Sequence, residues 1–537
     1  MNHFKTDSKQ APEPLMKKTL VTALLIALTL TGANAQNTYK NPIIQGFYPD
    51  PSICRVENDY FIVNSSFHYF PAVPLWHSKD LVHWEQVGNV LDRASQVSLS
   101  GAMRGGGIYA PTIRYDESDG TYYMITTNTT NGGNFFVTTK DPWKGWSEPL
   151  FLEQGGIDPS LYFENGTCYM LSNPDGCIYL CTIDTKTGKR LTPSRPLWKG
   201  TGGRYPEAPH IFHKDGWYYL LISEGGTEYG HMVTIARSRD IYGPYESNPA
   251  NPILTHRDMS GQANPIQATG HADMVQAPDG SWWMVCLGIR PQTGQNHLLG
   301  RETFLAPVSW EKGGWPVVNG TGTIDLEMEA QLPAWHPVET TPSKYRFSSE
   351  PLGPEWVYVR NPQLENYESR PDGLVLHGTE ATLDATEQSP TMVLRRQCDI
   401  NCDVTAALRL NNAGEGDEAG VCVFLDAEKH YDIFLRKNGK SRSLVLRYRL
   451  DYLTHIEKEV SVPTNSEVHL RISCTNDAYA FSYSTDGGRN FVPVGTMGSR
   501  YLSEEVQGGF TGCLFGLYCT SAKRTAAAKF TSFEIRK

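Results

Sequence analysis

The sequence has few of the features that mark membrane proteins, zinc proteins or nucleic-acid-binding proteins. Apart from an apolar stretch at residues 20–30, no hydrophobic run approaches the length that spans a bilayer, and no group of Cys and His residues has zinc-site spacing. Basic residues are in deficit: 48 Lys and Arg stand against 58 Asp and Glu, for a formal net charge of −10. This surplus of negative charge disfavours binding to nucleic acid or to anionic lipid. We therefore expect no nucleic-acid partner and no membrane insertion.

Long helical periodicity is missing too, and so are a phosphate-binding glycine loop and the nucleophile turn of serine hydrolases. The 537 residues instead include 49 Gly, 34 Pro and 11% aromatic residues, a composition that suits many short strands joined by tight turns. The chain is long enough for two or three domains, each with its own core. We predict an all-β protein with more than one domain.

The eleven cysteines do not form a disulfide framework, because their number is odd and their spacing is irregular. Several lie at even spacing in apolar, strand-like runs, as Cys177 and Cys181 do. Free, buried thiols are therefore favoured. Cys398 and Cys402 are the pair for which a disulfide is the first alternative to test.

The amino-terminal residues have the pattern of an export sequence. Lys17 and Lys18 precede the apolar stretch at 20–30, and small residues at 31–35 form a cleavage site that ends at Ala35. Residues 1–35 are predicted to be a signal peptide with an amino-terminal extension, and the mature protein to be exported, either periplasmic or secreted.

One pattern occurs five times between residues 50 and 283: a lead residue, a short apolar run, a turn dipeptide and then bulky, mostly aromatic residues. The lead residues are at 50, 110, 158, 208 and 272, and the turns include Asn165-Gly166 and Asp215-Gly216. A strand, a tight turn and a second strand make a β-hairpin. Intervals of 48 to 64 residues hold about four short strands each, as in propeller blades. We predict a five-bladed β-propeller over residues 36–330.

In a propeller the first strand of each blade lies next to the central axis, so matched positions on those strands converge. The polar or aromatic residues at these positions are Asp50, Tyr109, Asp158, Glu207 and His271. A structural role is an alternative for any one of them, since Asp before Pro often caps a turn. Three carboxylates near one axis, however, cost repulsion and desolvation that a purely structural arrangement would avoid. The pattern therefore predicts a functional pocket at the axis.

The repeat ends near residue 304, and a proline-containing stretch at 331–343 is predicted to be a linker. Residues 344–537 contain regularly spaced apolar runs, such as 420–425 and 431–435, with polar turns between them. This pattern predicts a β-sandwich of two antiparallel sheets, of the concanavalin-like jelly-roll type. Its expected role is stability or sugar binding.

Several carboxylates around one pocket, without a metal cluster, a nucleotide loop or a serine nucleophile, favour glycoside hydrolysis. Four segments then carry a family resemblance: Gly-Phe-Tyr-Pro-Asp-Pro-Ser-Ile-Cys at 46–54, His-Ser-Lys-Asp-Leu-Val-His-Trp at 77–84, Glu-Ala-Pro-His at 207–210 and Leu-Gly-Arg-Glu-Thr at 299–303. In this order they resemble glycoside hydrolase family 43. The carboxyl-terminal region is similar to the sandwich of that family's β-xylosidase and α-L-arabinofuranosidase branch.

The resemblance implies roles for the three carboxylates. Asp50 corresponds to the general base, Glu207 to the general acid, and Asp158 to the residue that raises the pKa of the acid and orients it. The chemistry needs this division, because one carboxylate must stay ionised to activate water while another keeps a proton for the leaving oxygen. Glu224 and Glu228 are the alternative acids, since they lie just behind a strand end.

The resemblance also implies a set of substrate-contacting residues. His271 corresponds to an axial histidine that often lies beside a calcium ion, a sodium ion or a water, with a packed core histidine as the alternative. Arg301 corresponds to a substrate-contacting arginine, with a salt-bridged structural arginine as the alternative. Phe67 and Tyr109 are placed against the terminal sugar or else in the core. Phe510 is proposed as the apolar side chain with which the sandwich closes one side of the pocket. No cofactor is expected to be required.

The expected function is an inverting, exo-acting glycoside hydrolase that releases terminal α-L-arabinofuranosyl residues from plant hemicellulose oligosaccharides. The stretch at 106–115, Gly-Gly-Ile-Tyr-Ala-Pro-Thr-Ile-Arg-Tyr, looks most like family members that remove arabinofuranosyl side chains. A β-D-xylosidase, or an enzyme with both activities, is the alternative within the family. A sugar-binding propeller without catalysis is the alternative from another class.

Overall fold

A computed structural model describes residues 1, 38–259, 265–338, 344–345 and 347–537. Helical structure within these ranges is limited to one four-residue α-helix and three 3₁₀ segments. The predicted all-β class is confirmed. The predicted signal peptide lies outside the described residues except for Met1, and so do residues 339–343 of the predicted linker. In the described ranges no helix is both long and apolar enough to cross a membrane.

The amino-terminal part of the chain is built from short strands. They are β1 (Thr38–Lys40), β2 (Ser52–Val56), β3 (Asp59–Val63), β4 (Tyr69–Phe70), β5 (Ala72–Ser78), β6 (Glu85–Leu91), β7 (Thr112–Asp116), β8 (Thr121–Asn128), β9 (Gly133–Thr139), β10 (Leu150–Phe151), β11 (Ile157–Glu164), β12 (Thr167–Asn173), β13 (Ile178–Ile183), β14 (Arg195–Trp198), β15 (Glu207–Lys214), β16 (Trp217–Glu224), β17 (Met232–Ser238), β18 (Glu246–Ser247), β19 (Leu254–Thr255), β20 (Gln267–Gln276), β21 (Trp282–Ile289), β22 (Glu302–Trp310), β23 (Pro316–Val318) and β24 (Glu327–Glu329). A 3₁₀ segment at Thr293–Gln295 precedes β22.

All of these strands except β1, β4 and β24 form five antiparallel sheets, each of which contains one copy of the sequence repeat. The sheets consist of β2-β3-β5-β6, β7 to β10, β11 to β14, β15 to β18 with β19 beside β17, and β20 to β23. The predicted turns join their first two strands. Asn165 and Gly166 both have positive φ, at 51° and 74°, as do Asp215 and Gly216, at 52° and 72°. Asn or Asp followed by Gly suits such a turn, because both central residues must adopt the left-handed region.

The first strands of the five sheets contact one another in a closed cycle. β2 contacts β7, β7 contacts β11, β11 contacts β15, β15 contacts β20, and β20 contacts β2. A buried hydrogen-bond network crosses the centre of this cycle. Asp273 accepts hydrogen bonds from Ser52 Oγ at 2.7 Å and from both Nη atoms of Arg114 at 2.8 and 3.0 Å, and Arg114 also lies 2.8 Å from His210 Nδ1. The network therefore links the first strands of four sheets.

The carboxyl-terminal part is a second all-β unit. Its strands are β25 (Lys344–Tyr345), β26 (Tyr358–Val359), β27 (Tyr367–Arg370), β28 (Gly373–His377), β29 (Met392–Arg396), β30 (Cys402–Asn411), β31 (Glu418–Asp426), β32 (Lys429–Asn438), β33 (Ser441–Leu450), β34 (Leu453–Ser461), β35 (Val468–Cys474), β36 (Ala478–Ser484), β37 (Val492–Gly498), β38 (Leu514–Thr520) and β39 (Ala527–Arg536). The helix α1 (Glu504–Gln507) and 3₁₀ segments at Leu364–Asn366 and Ser499–Leu502 complete it.

Two sheets enclose the core of this unit. One has the order β27-β28-β39-β30-β35-β36-β37, with β25 also beside β39, and the other has the order β29-β38-β31-β32-β33-β34. Burial alternates along strands such as β35, as expected when one face of a sheet packs on a core. The strand β39 lies inside its sheet, between β28 and β30.

The two parts of the chain pack tightly on each other. β26 pairs with β4, and Phe47, Phe67 and Tyr69 share one apolar cluster with side chains of β31, β32 and β38. Gly300 and Gly512 bring the two backbones together: a Cβ on Gly512 would lie 2.5 Å from the Gly300 nitrogen. Only glycine fits such a contact.

All eleven cysteines are free and ten of them are buried, in agreement with the predicted free thiols. Cys398 and Cys402 do not form a disulfide.

Candidate active site

The predicted pocket residues lie where the first strands of the sheets are irregular. Asp50, Asp158 and His271 have positive φ, at 55°, 51° and 43°, and so does Ala208 beside Glu207, at 52°. The pairing of β11, β15 and β20 with the next strand also shifts register at these points. A bulge redirects a side chain, and a non-glycine residue in the left-handed region costs roughly 1–3 kcal/mol. The same irregularity in separate sheets aims these side chains at one site.

Asp50 is buried and has three polar neighbours. Its Oδ1 accepts a 3.0 Å hydrogen bond from Arg301 Nη1 and lies 3.7 Å from His271 Nδ1, while its Oδ2 accepts a 2.5 Å hydrogen bond from Ser65 Oγ. Burial alone would raise the pKa of Asp50. The Arg301 charge, helped by His271 and Ser65, outweighs burial, so the pKa is lowered. Asp50 is therefore an ionised carboxylate at neutral pH.

Asp158 and Glu207 have the opposite electrostatic character. Carboxylate oxygens of the two residues and a ring nitrogen of His271 all lie within 4.8 Å of one another. Burial, and then the charges of Asp158 and Asp50, raise the pKa of Glu207 well above its usual value. Burial also raises the pKa of Asp158, although His271 and the 3.2 Å hydrogen bond from the Ala208 N–H act in the other direction. Such a pair retains a proton at a pH where isolated carboxyl groups are ionised.

An aromatic group lies beside these carboxylates. Phe67 and Phe510 stack with ring centroids 5.8 Å apart, and Tyr109 meets them edge-on at 5.4 and 6.1 Å. Arg301 donates a 3.2 Å hydrogen bond to the carbonyl oxygen of Phe510, and its Cζ lies 5.5 Å from that ring centroid. The sandwich thus contributes Phe510 to a site whose other members come from the five sheets.

The accessibility of this group divides it in two. Phe67 and Arg301 are each only 2% exposed, whereas Tyr109 and Phe510 keep part of their surface accessible. In this arrangement Phe67 is a core aromatic residue and Arg301 is an ion-paired arginine, which were the alternative interpretations of these two residues. Direct contact of substrate with Phe67 or Arg301 stays a prediction.

Sequence reasoning missed Ser65, Ser223 and His231. Ser223 Oγ accepts a 2.6 Å hydrogen bond from the backbone N–H of His271. The His231 ring lies so close to Gly270 that a Cβ there would approach its atoms to 2.3 Å. Burial, and then the charge of His271, lower the pKa of His231 to about 3, so the ring is neutral. None of the three occupies a lead position of the repeat, so the repeat pattern could not identify them.

The alternative acids do not fit the site. Glu224 is fully buried and accepts hydrogen bonds from the N–H groups of Thr201 and Gly203, at 2.9 Å each, and from Thr234 Oγ1 at 2.6 Å. Glu228 has a 70% exposed side chain and pairs with Arg204 at 2.9 Å. A carboxylate with so many donors serves to hold a loop, and the exposed Glu228 forms a surface ion pair.

Among the described residues one group of three, Asp158, Glu207 and His271, could hold a metal ion directly. The set does not fit calcium or sodium well, because such ions prefer six or more oxygen ligands and this group offers two carboxylates and an imidazole. The raised pKa of both carboxyl groups also opposes metal binding. An ion held near His271 through water stays a prediction.

A lowered and a raised carboxyl pKa in one buried site suit the base and the acid of a glycosidase. Comparison of the sequence with known protein families identifies the family. Residues 39–316 match the model of glycosyl hydrolases family 43, and residues 344–536 match the β-xylosidase C-terminal concanavalin A-like domain. The chain belongs to glycoside hydrolase family 43, which confirms the resemblance seen in the sequence.

Several relatives are similar over almost their whole length. The non-reducing end α-L-arabinofuranosidase BoGH43B of Bacteroides ovatus is 40% identical over 535 residues, which cover 97% of this chain and 99% of that protein. A xylosidase/arabinosidase of Butyrivibrio fibrisolvens is 38% identical over 90% of this chain and 96% of its own. The solved structure of Bacteroides ovatus xyloglucan PUL GH43B superposes with a TM-score of 0.88 at 39% identity, covering 93% of this chain and 99% of the other.

Proposed function

We propose that this protein is a non-reducing-end α-L-arabinofuranosidase that removes terminal arabinofuranosyl residues from hemicellulose oligosaccharides. The observation that carries the proposal is the electrostatic contrast within one site: Asp50 has a lowered pKa and Glu207 a raised one. The similarity to an enzyme named for this activity supports the choice of sugar. A second activity on β-D-xylosides is the alternative, because another relative is named a xylosidase/arabinosidase.

The three carboxylates have different roles in the proposed reaction. Asp50, ionised and oriented by Arg301 and Ser65, acts as the base that takes a proton from water. Glu207, whose pKa is raised, keeps a proton and gives it to the glycosidic oxygen as the bond breaks. Asp158 keeps the pKa of Glu207 raised through its negative charge and is itself oriented by the Ala208 N–H. His271, next to all three carboxylates, helps to fix their positions.

We further propose that the reaction inverts the anomeric configuration. Inversion needs the base and the acid about 6.5–9.5 Å apart, so that a water fits between Asp50 and the sugar. Asp50 and Glu207 come from the first and the fourth sheet, which suits separated carboxyl groups. Proton NMR during the first turnovers should show the anomer opposite to that of the substrate. A first product with retained configuration would contradict the proposal.

The architecture that we propose for this function is a five-bladed β-propeller over residues 36–330, a linker at 331–343 and a β-sandwich over 344–537. The closed cycle of first strands supports five blades around an axis. The signal peptide at 1–35 and export to the periplasm or the medium remain part of the same proposal, which rests on the amino-terminal sequence pattern. The pocket wall that includes Phe510 supports an exo mode of action, because a closed side admits only a chain end.

A sugar-binding protein without catalysis is the competing function. Binding alone does not need a protonated carboxyl group beside two others, an arrangement that costs desolvation and repulsion. The experiment is hydrolysis of 4-nitrophenyl α-L-arabinofuranoside and 4-nitrophenyl β-D-xyloside by the wild type and by Asp50→Asn. We expect faster release from the arabinofuranoside and loss of both activities in the variant. A wild-type protein that binds these sugars without hydrolysing them would establish the competing function.

A further inference from the structure

The loop that enters β15 exposes a large aromatic side chain two residues before Glu207. Tyr205 is 60% exposed, yet its backbone is held at a φ of 50°. Single exposed aromatic residues are common and need no function. A non-glycine residue in the left-handed region is less common, because the strain persists only where the surrounding structure fixes it. The combination of strain and exposure at this position therefore requires an explanation.

The surrounding structure fixes this loop from several directions. The buried carboxylate of Glu224 accepts hydrogen bonds from the N–H groups of Thr201 and Gly203. Asn173 Nδ2 donates a 2.6 Å hydrogen bond to the carbonyl oxygen of Pro206. The N–H of Gly225 donates to the carbonyl oxygen of Arg204 at 2.7 Å. The segment from 201 to 206 is thus a preorganised frame, and Glu224 has a role as its anchor.

The aromatic ring is held as well as its backbone. A Cβ on Gly226 would lie 3.2 Å from Cδ2 of Tyr205, so the ring lies against backbone that carries no side chain. The Cζ of Arg204 lies 5.5 Å from the ring centroid, and its guanidinium contacts Glu228 at 2.9 Å and the Gly225 carbonyl at 3.3 Å. We call this pair the Arg204–Tyr205 platform. Such a platform offers an aromatic surface and hydrogen-bond donors without further ordering on binding.

The position of the platform next to the acid suggests its ligand. A general acid protonates the glycosidic oxygen, so the leaving-group sugar lies on the acid's side of the bond that breaks. Two residues of chain span at most about 7 Å, so the Cα atom of Tyr205 lies within about the length of one sugar residue of the Cα atom of Glu207. We propose that Tyr205, with Arg204, binds the leaving-group sugar of the oligosaccharide. The inference rests on the proposed function, because it takes Glu207 as the acid.

The test compares ligands that do and do not occupy the platform. We expect Tyr205→Ala to lower kcat/KM for an arabinose-bearing xyloglucan oligosaccharide about tenfold, mainly through KM, as for the loss of one ring-stacking contact. Inhibition by free L-arabinose, which fills only the terminal-sugar position, should be unchanged. Tyr205→Phe should keep most of the activity. Trp143→Ala is the matched control, since Trp143 is 54% exposed in the turn between β9 and β10 and its replacement should leave both measurements unaltered.

Two results would overturn the proposal. The first is a Tyr205→Ala protein with wild-type KM for the oligosaccharide. The second is an equal loss of oligosaccharide turnover and of arabinose inhibition, which would indicate damage to the whole site. A wild-type protein inert toward every glycoside would refute the proposed function instead. The platform would then be judged by calorimetry, in which the oligosaccharide must bind the wild type more tightly than Tyr205→Ala.

Discussion

Asp50, Asp158 and His271 share a left-handed backbone, which is a costly conformation for a residue with a side chain. A β-bulge accompanies this conformation in β11 and in β20. The bulges turn polar side chains out of the regular alternation of a strand and toward a common point. Replacing one of these residues changes chemistry and local strain together. The informative variants are therefore isosteric ones that keep the backbone and alter only the charge or the proton.

Glu207→Gln is such a variant, and it separates the acid from the base. Without the proton of Glu207, substrates with a sugar leaving group should lose roughly 100-fold or more in kcat, whereas activated aryl glycosides should lose far less. Asp50→Asn should impair both kinds of substrate alike, because either reaction needs the water that Asp50 activates. Steady-state kinetics on one oligosaccharide and one aryl glycoside measure the difference. Equal losses on both substrates for Glu207→Gln would remove the acid role from this residue.

The repeat explains how much of the site was predictable at this scale. Asp50, Asp158, Glu207 and His271 were identified because equivalent positions of a propeller must converge. Ser65 and Ser223 were not, because each contacts a site residue from a second strand or a loop, where the repeat carries no information. The burial of Glu224 could not be predicted from the sequence either, since the loop that covers it lies more than twenty residues earlier in the chain.

At the scale of elements, the helix α1 and the loop before β22 are joined by one histidine. His297 is buried; its Nδ1 lies 2.6 Å from Glu505 Oε1 and its Nε2 lies 2.7 Å from Glu504 Oε2. The backbone N–H of His297 also donates a 2.9 Å hydrogen bond to Glu505 Oε2. The loop continues to Arg301 and the helix continues to Phe510. The clamp formed by His297 and the two glutamates therefore fixes two segments that both enter the site.

The pH dependence of this clamp can be predicted with its sign. Burial alone would lower the pKa of His297, but the hydrogen bonds and charges of Glu504 and Glu505 outweigh it and raise the pKa to about 9. Because the folded-state pKa lies above the unfolded value, the stabilisation is complete below pH ~6.5 and disappears as the pH rises through about 9. It amounts to about 3 kcal/mol at most.

His297→Gln should therefore lower the melting temperature at pH 6 by several degrees and by little above pH 9.5. Thermal unfolding of both proteins between pH 5 and 10 measures the difference. The control variant is Glu428→Gln, at a glutamate elsewhere in the sandwich. The difference between its melting temperature and that of the wild type should not shrink as the pH rises. A difference in melting temperature that stays constant over the whole range would contradict the proposed ionisation.

At the scale of the whole molecule, the sandwich contacts the residues of the candidate site directly. β26 extends β4, one apolar cluster crosses the boundary, and Arg301 reaches from Asp50 to the carbonyl of Phe510. Regularly spaced apolar runs in the sequence predicted a second all-β domain. Such a pattern cannot specify which face of that domain contacts another domain. The position of Phe510 came from family resemblance alone.

Removal of residues 344–537 should lower activity even on small aryl glycosides, because the terminal sugar would lose an apolar contact and gain water. Since the truncation exposes the apolar cluster around Phe47 and Phe67, Phe510→Ala provides the milder test. We expect that variant to lose about 1–3 kcal/mol of transition-state binding and Phe510→Leu to lose less. Kinetics on 4-nitrophenyl α-L-arabinofuranoside provide the measurement. A folded truncation with full activity would show that the five sheets alone build the pocket.

The place of β39 has a consequence for when the enzyme becomes active. This strand, formed by residues 527–536, lies between β28 and β30, so the sheet that it completes cannot close until those residues have been synthesised. Phe510 is positioned by the same unit. If Phe510 forms one wall of the pocket, as proposed, a ribosome-bound chain that has made all three carboxylates but not β39 still lacks that wall. We therefore expect full competence for hydrolysis only after β39 has joined its sheet, well after the catalytic side chains exist.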